Sequence, residues 1–100
     1  MQEKAIKHDK GKAKLSLLPY DALAEVSKAM DFGASKYGKH NYKQGMEYSR
    51  LIDAALRHLN QYAAGIDLDD ESNLNHLSHC VSNLLMLLRM VQNKPEMDDR

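Results

Sequence analysis

From Leu74 onward, apolar residues recur at alternating steps of three and four: Leu74, Leu77, Val81, Leu84, Leu88 and Val91. Such spacing keeps one stripe of a helix apolar and resembles a coiled-coil seam. It cannot be a strand, whose faces alternate every second residue. The repeat predicts a long helix starting around Asp69 to Ser72, where acids face the positive end of the macrodipole. At about 1.5 Å per residue it would exceed roughly 30 Å. It should stop before Pro95, because the residue preceding a proline avoids the helical region. Leu85, Met86, Leu87 and Met90 widen the apolar surface beyond the seam. Two shorter helices cover only part of it, so self-association through this helix is expected.

Two helices precede it. Ser49 is a good N-cap, and Leu51, Ile52, Ala55, Leu56, Leu59, Tyr62 and Ala63 follow with a helical period that ends at Gly65. Earlier, Pro19 and Asp21 suit a helix start, with Leu23, Val26, Ala29 or Met30, and Phe32 on one face. Gly33 and Gly38 weaken its continuation, and residues 38–45 read as a loop by their turn chemistry. No stretch alternates well enough to be a strand. The expected fold is all-α: a three-helix bundle with a long C-terminal helix, completed by oligomerisation. A basic arm should occupy residues 1–18, the helical domain 19–93 and a flexible tail 94–100.

Composition narrows the function classes. The 14 basic and 14 acidic residues cancel, which leaves no bulk field to attract nucleic acid or an anionic membrane. A single cysteine, Cys80, excludes an internal disulfide, fits a reducing cytoplasm, and lies in an apolar context that suits an inert packed thiol. No apolar run approaches membrane-spanning length. A soluble cytoplasmic protein is expected, without nucleic-acid or membrane partners.

Chemistry is concentrated at the mouth of the last helix. Asp67, Asp69, Asp70 and Glu71 precede His76 and His79. Capping and dipole matching explain one or two acids; four acids beside two imidazoles suit a metal or phosphate site. Asp67, Asp69 and Glu71 offer oxygen ligands suited to Mg2+ or Mn2+, and an HxxH pair can bring His76 and His79 toward one ion. The plainer alternative makes both histidines half-buried partners of the second helix. On that helix Asp53 and Arg57 are an i,i+4 pair, and His58 falls on the apolar face. Either they form a surface ion pair beside a core histidine, or Arg57 and His58 point into the space that holds His76 and His79. A guanidinium there would grip phosphate bidentately. Lys36, Tyr37, Asn41 and Tyr42 flank the central loop and suit a phosphate and a stacked base.

In order and spacing, several segments resemble a phage family known as the N-terminal domain of dATP/dGTP diphosphohydrolases. They are Asp9-Lys-Gly-Lys12-Ala-Lys14-Leu15 leading to Leu18-Pro19, Gly33-Ala-Ser-Lys36-Tyr37-Gly38, Asn41-Tyr42-Lys-Gln-Gly45, Ala54-Ala-Leu-Arg57-His58-Leu59, and Gly65-Ile-Asp67-Leu-Asp69-Asp-Glu71-Ser72 before His76-Leu-Ser-His79. The family's tryptophan, glutamate and glycine are replaced here by Tyr42, Ile66 and Asn73. The resemblance implies a mostly helical protein that handles purine deoxynucleotides and releases pyrophosphate. The expected nucleotide-binding set is Lys12, Lys36, Tyr37, Asn41, Tyr42, Arg57 and His58. The expected catalytic set is Glu71, Asp69 and His76, with a metal on Asp67, Asp69, Glu71, His76 and His79. The alternative is a non-catalytic oligomeric sponge that sequesters nucleotides.

Overall fold

A computed structural model describes residues 4–100; the first three residues of the expected basic arm lie outside the described residues. Three α-helices follow the arm: α1 (Tyr20–Tyr37), α2 (Tyr48–Ala63) and α3 (His76–Asn93), with short 3-10 turns at Leu15–Leu17, Asn41–Gln44 and Pro95–Met97. Pro19 precedes the first turn of α1, where its missing N–H costs nothing. The helix runs through Gly33 and ends at Gly38, whose φ of 96° lies in the region where a side chain is strained. Among the described residues no helix is long and apolar enough to cross a membrane.

Helices α2 and α3 run antiparallel, because Tyr48 and Leu51 at the start of α2 meet Met90 near the end of α3, while His58 meets His76 at the other end. The apolar core is small. Tyr48, Leu51 and Met90 form its centre, with Tyr42, Met46, Ile52, Met86, Leu87 and Met97 packed around them. Helix α1 packs mainly on α3, through a face that buries Val26 and Ala29. Since α1 and α2 both lie against α3 and barely on each other, a trough runs between them with α3 as its floor.

The structure revises four sequence expectations. The last helix begins at His76, not at Asp69 to Ser72, with Asn75 as its cap: Asn75 Oδ1 accepts from Leu77 N at 2.8 Å. Its 18 residues span about 27 Å. Residues 66–75 form a closed loop instead, because their main chain is satisfied locally. His76 N donates to Asp67 O at 2.9 Å and Asp69 N to Leu74 O at 2.8 Å. The Asp69 carboxylate accepts from Ser72 N at 2.9 Å, offering the backbone an alternative to helix.

The apolar seam is not the buried stripe. Val81, Leu84, Leu88 and Val91 are 38%, 48%, 54% and 53% exposed, whereas His76, Ser78, His79, Cys80, Ser82 and Met90 are buried. Two helices sitting on one side of α3 select that side, and its upper half is polar where it floors the trough. Ser49 does not cap α2. Its N–H and hydroxyl both donate to the Asp99 carboxylate, the N–H at 2.9 Å, so the cap comes from the far end of the chain. Asn83, polar inside the apolar run, is partnered within its own helix, where its amide donates to the His79 carbonyl at 2.8 Å. The final residues, expected as a tail, fold back and seat Met97 against the core.

Candidate functional site

The trough has a volume of about 1050 Å³. One wall is α1 from Ala29 to Tyr37, the other is α2 from Arg50 to Gln61, and His79, Ser82, Asn83 and Met86 form the floor. Periodicity explains both walls: Arg50, Ala54, Arg57, His58 and Gln61 follow a three-and-four spacing down one edge of α2. Loop residues Asn41 and Tyr42 close one end, and Asp69 and Glu71 the other.

The trough brings together Lys36, Tyr37, Asn41, Tyr42, Arg57, His58, Asp69, Glu71 and His79 of the expected site. It does not include Lys12, Asp67 or His76. Lys12 lies in the exposed arm, where its N–H closes a turn on Asp9 O at 3.1 Å. The Asp67 side chain is exposed, and only its main-chain carbonyl takes part, at the start of α3. His76 sits one layer deeper, 1% exposed, behind His58.

Three imidazoles and one carboxylate make up the interior cluster. His58 Nδ1 and His76 Nδ1 face each other at 2.8 Å. The His58 and His79 rings stack at 4.7 Å and 16°, and Phe32 of α1 meets His79 edge-on at 6.0 Å. Ser72 links the loop to α3. Its hydroxyl lies 2.9 Å from Asp69 Oδ2 and 2.6 Å from His79 Nε2. A carboxylate only accepts, so the hydroxyl proton goes to Asp69. His79 must then donate from Nε2, which leaves Nδ1 as its bare nitrogen. The Asp69-x-x-Ser72 spacing was the available sequence signal for this link. Phe32 carried none beyond its helical position.

Burial favours the neutral form of His58 and of His79. Burial, reinforced by neighbouring His79, pushes His58 down to about 4. Burial also lowers His79, although Asp69 opposes it. For Asp69 burial acts upward, but two hydrogen bonds from Ser72 more than offset it and hold the carboxyl below its ordinary value. Neutral imidazoles with an ionised carboxylate are the protonation states a metal or a phosphate-bound ion requires.

A pH dependence follows. The unfolded chain takes a proton on His58 near 6.5, and the folded chain resists until about 4. The contribution is therefore complete above 6.5 and lost as pH falls toward 4, on the order of 2 kcal/mol. Melting temperature should fall across that window and fall less steeply in His58→Gln. A melting temperature that stays flat from pH 7 to 4.5 would contradict this.

At the trough mouth, Lys36 and Glu71 form an ion pair at 2.5 Å, with the ammonium also 5.2 Å from the centre of the Tyr37 ring. The Glu71 partner raises the Lys36 pKa. The expected Asp53–Arg57 pair does not form: among the described residues, Arg57 has no acidic partner within 4.0 Å.

These features define an all-α protein with an imidazole-floored trough rimmed by basic and aromatic side chains. The chain belongs to the family described as dATP/dGTP diphosphohydrolase, N-terminal, whose model matches residues 2–100. A dATP/dGTP diphosphohydrolase of Salmonella phage PMBT28 is 40% identical over 95 residues, covering 95% of this chain and 32% of the relative. The chain thus spans about a third of the length of the curated relative it matches. No solved structure matches it. The family's glycine position, Asn73 here, has a φ of 60°, and asparagine is among the few other residues that adopt that conformation readily.

Proposed function

We propose that the trough receives a purine deoxynucleoside triphosphate, and that this chain supplies the nucleotide-holding part of a diphosphohydrolase. The observation that carries this reading is Arg57. It is a guanidinium without an acidic partner among the described residues, on the rim above neutral imidazoles and in a trough that also presents Lys36, Tyr37 and Tyr42. An unneutralised guanidinium beside such a cluster favours a bidentate oxyanion. The tyrosines offer stacking faces for the base. In the reaction, water attacks the α-phosphorus, the α–β bridge breaks and pyrophosphate leaves. A divalent ion, Mg2+ or Mn2+ on the sequence reading, would neutralise the polyphosphate and polarise the water.

A second reading, a sponge that binds without turnover, draws on the ion pair of Glu71. The acid expected to act in catalysis is engaged by Lys36 at 2.5 Å. Incubation with dATP or dGTP and a divalent ion, followed by chromatography, separates the two. Monophosphate and pyrophosphate formation that is lost in Glu71→Gln supports the hydrolase. Intact nucleotide released on heating the protein supports the sponge. Neither turnover nor a nucleotide-dependent thermal shift would sink both.

Gly33 gives an independent test. It lies inside α1 on the trough wall, and an added Cβ would meet nothing within 4 Å. Glycine inside a helix is worse than alanine by about 0.5–1 kcal/mol. Gly33→Ala should therefore raise the melting temperature by a few degrees yet weaken nucleotide binding by narrowing the trough. Higher stability with unchanged affinity would place the nucleotide elsewhere.

The exposed seam on α3, with Leu56 and Leu59 of α2 exposed at 58% and 45%, is the basis for the proposed homo-oligomer. Sedimentation should give a mass above the monomer's, reduced by Leu84→Glu with Leu88→Glu. A monomer at all concentrations would end that part of the reading.

A further inference from the structure

We propose that His58, His76 and Asp69 form a binding site for a first-row transition-metal ion, and that magnesium is not its natural occupant. This ligand set differs from the sequence expectation: His58 enters, and Asp67, Glu71 and His79 leave. One donor atom from each of the three residues lies within 4.8 Å of the other two. They come from three separate segments, α2, α3 and the loop before α3, so no local sequence effect explains the convergence.

The imidazole pair is poorly accounted for as a structural hydrogen bond. Two facing Nδ1 atoms at 2.8 Å can share one proton. Among the described residues His76 Nε2 has no hydrogen-bond partner, so nothing else in the fold fixes the tautomer of that ring, whereas an ion between the two Nδ1 atoms would use the lone pair of each. Two nitrogens bound to one ion at about 2.0–2.1 Å lie about 3.0–3.4 Å apart. The observed gap therefore needs to widen by only a few tenths of an ångström.

Asp69 is held in the same sense. Both hydrogen bonds from Ser72 land on Oδ2, and His79 Nε2 approaches that oxygen at 3.8 Å. Among the described residues Oδ1 carries no hydrogen bond, which leaves it available as a ligand. Ser72 thereby plays the outer-shell part that fixes a ligating carboxylate. His79, stacked on His58 at 4.7 Å, fixes the plane of that ring.

Two imidazoles and a carboxylate suit Zn2+, Mn2+, Fe2+ or Co2+, whereas Mg2+ prefers oxygen ligands and retains most of its water. Three protein ligands leave coordination positions open on the trough side. Only the use of those positions by a phosphate oxygen rests on the nucleotide reading.

The test uses metal alone, without nucleotide. Chelator-treated protein is titrated with Zn2+, Co2+, Mn2+ and Mg2+, monitored by melting temperature and, for Co2+, by visible absorption. Zn2+ and Co2+ should raise the melting temperature by several degrees, Co2+ should develop a ligand-field band, and Mg2+ should do neither. His76→Ala risks unfolding, so Asp69→Asn and His58→Gln decide: each should weaken Co2+ at least ten-fold, while Asp67→Asn leaves it unchanged. Silence with every transition ion, or Co2+ binding unaltered in Asp69→Asn and His58→Gln, overturns the site. Nucleotide binding that persists in that event leaves the proposed function standing.

Discussion

Arg57→Ala is expected to weaken purine nucleotide binding by roughly ten- to a hundred-fold while moving the melting temperature by no more than about a degree. The affinity figure reflects the worth of a hydrogen bond to a charged partner, about 1.5–3 kcal/mol. The small stability effect follows from the position of the side chain. It is exposed, forms no ion pair with an acid among the described residues, and faces the trough. Arg57→Lys should recover only part of the loss, because an ammonium cannot make the paired contacts of a planar guanidinium. His58→Ala is not an equivalent probe. His58 is 9% exposed and touches both His76 and His79, so its removal damages packing as well as binding. Calorimetric titration of Arg57→Ala with an unhydrolysed dATP analogue checks the prediction. Wild-type affinity there would remove the central support for the proposed function.

The second large effect is one of stability. Met97→Ala combined with Asp99→Ala should destabilise the fold by more than the ~1–2 kcal/mol that losing the methionine's burial removes. Met97 packs on the Tyr48–Leu51–Met90 centre and also meets Gly45, whose added Cβ would lie 3.3 Å from its sulfur. Truncating a half-buried methionine removes about 1–2 kcal/mol of burial. Losing the acid that accepts from the α2 N-terminus adds to that loss. For a domain of this size that lowers the melting temperature by roughly 10 °C. Thermal unfolding at neutral pH measures it, and a loss under about 2 °C would show that these contacts contribute little. Gly45 responds to the same packing. With a φ of 121° and Met97 against it, no side chain fits there without strain.

The helices and most of their ends were legible in the residues, because their causes are local. Pro19, Gly38, Gly65 and Pro95 act through their own backbone preferences, and the period of α2 from Leu51 to Ala63 needs no partner to be read. The three histidines and Asp69 were legible as candidates, since their residue types and spacings carry the chemistry. The face of α3 that turns inward was not legible. Its apolar seam is the stronger pattern, yet the buried stripe is the one that holds His76, His79 and Ser82. That choice depends on where α1 and α2 settle, and a single helix carries no record of it.

The same limit applies to individual partners. Lys36 meets Glu71 across 35 positions and Ser49 meets Asp99 across 50; sequence proximity cannot reveal either pair. The acids before α3 show the division most clearly. Composition identified them as unusual, but only the loop closure at Asp67 and Leu74 decided that Asp69 turns inward, Glu71 lines the mouth and Asp67 stays outside the trough. Local preference fixes most helix ends, although the start of α3 was set by closure of the loop before it. Which groups share one hollow is decided by the packing of three helices, because burial is a property of the assembled surfaces and not of any one of them.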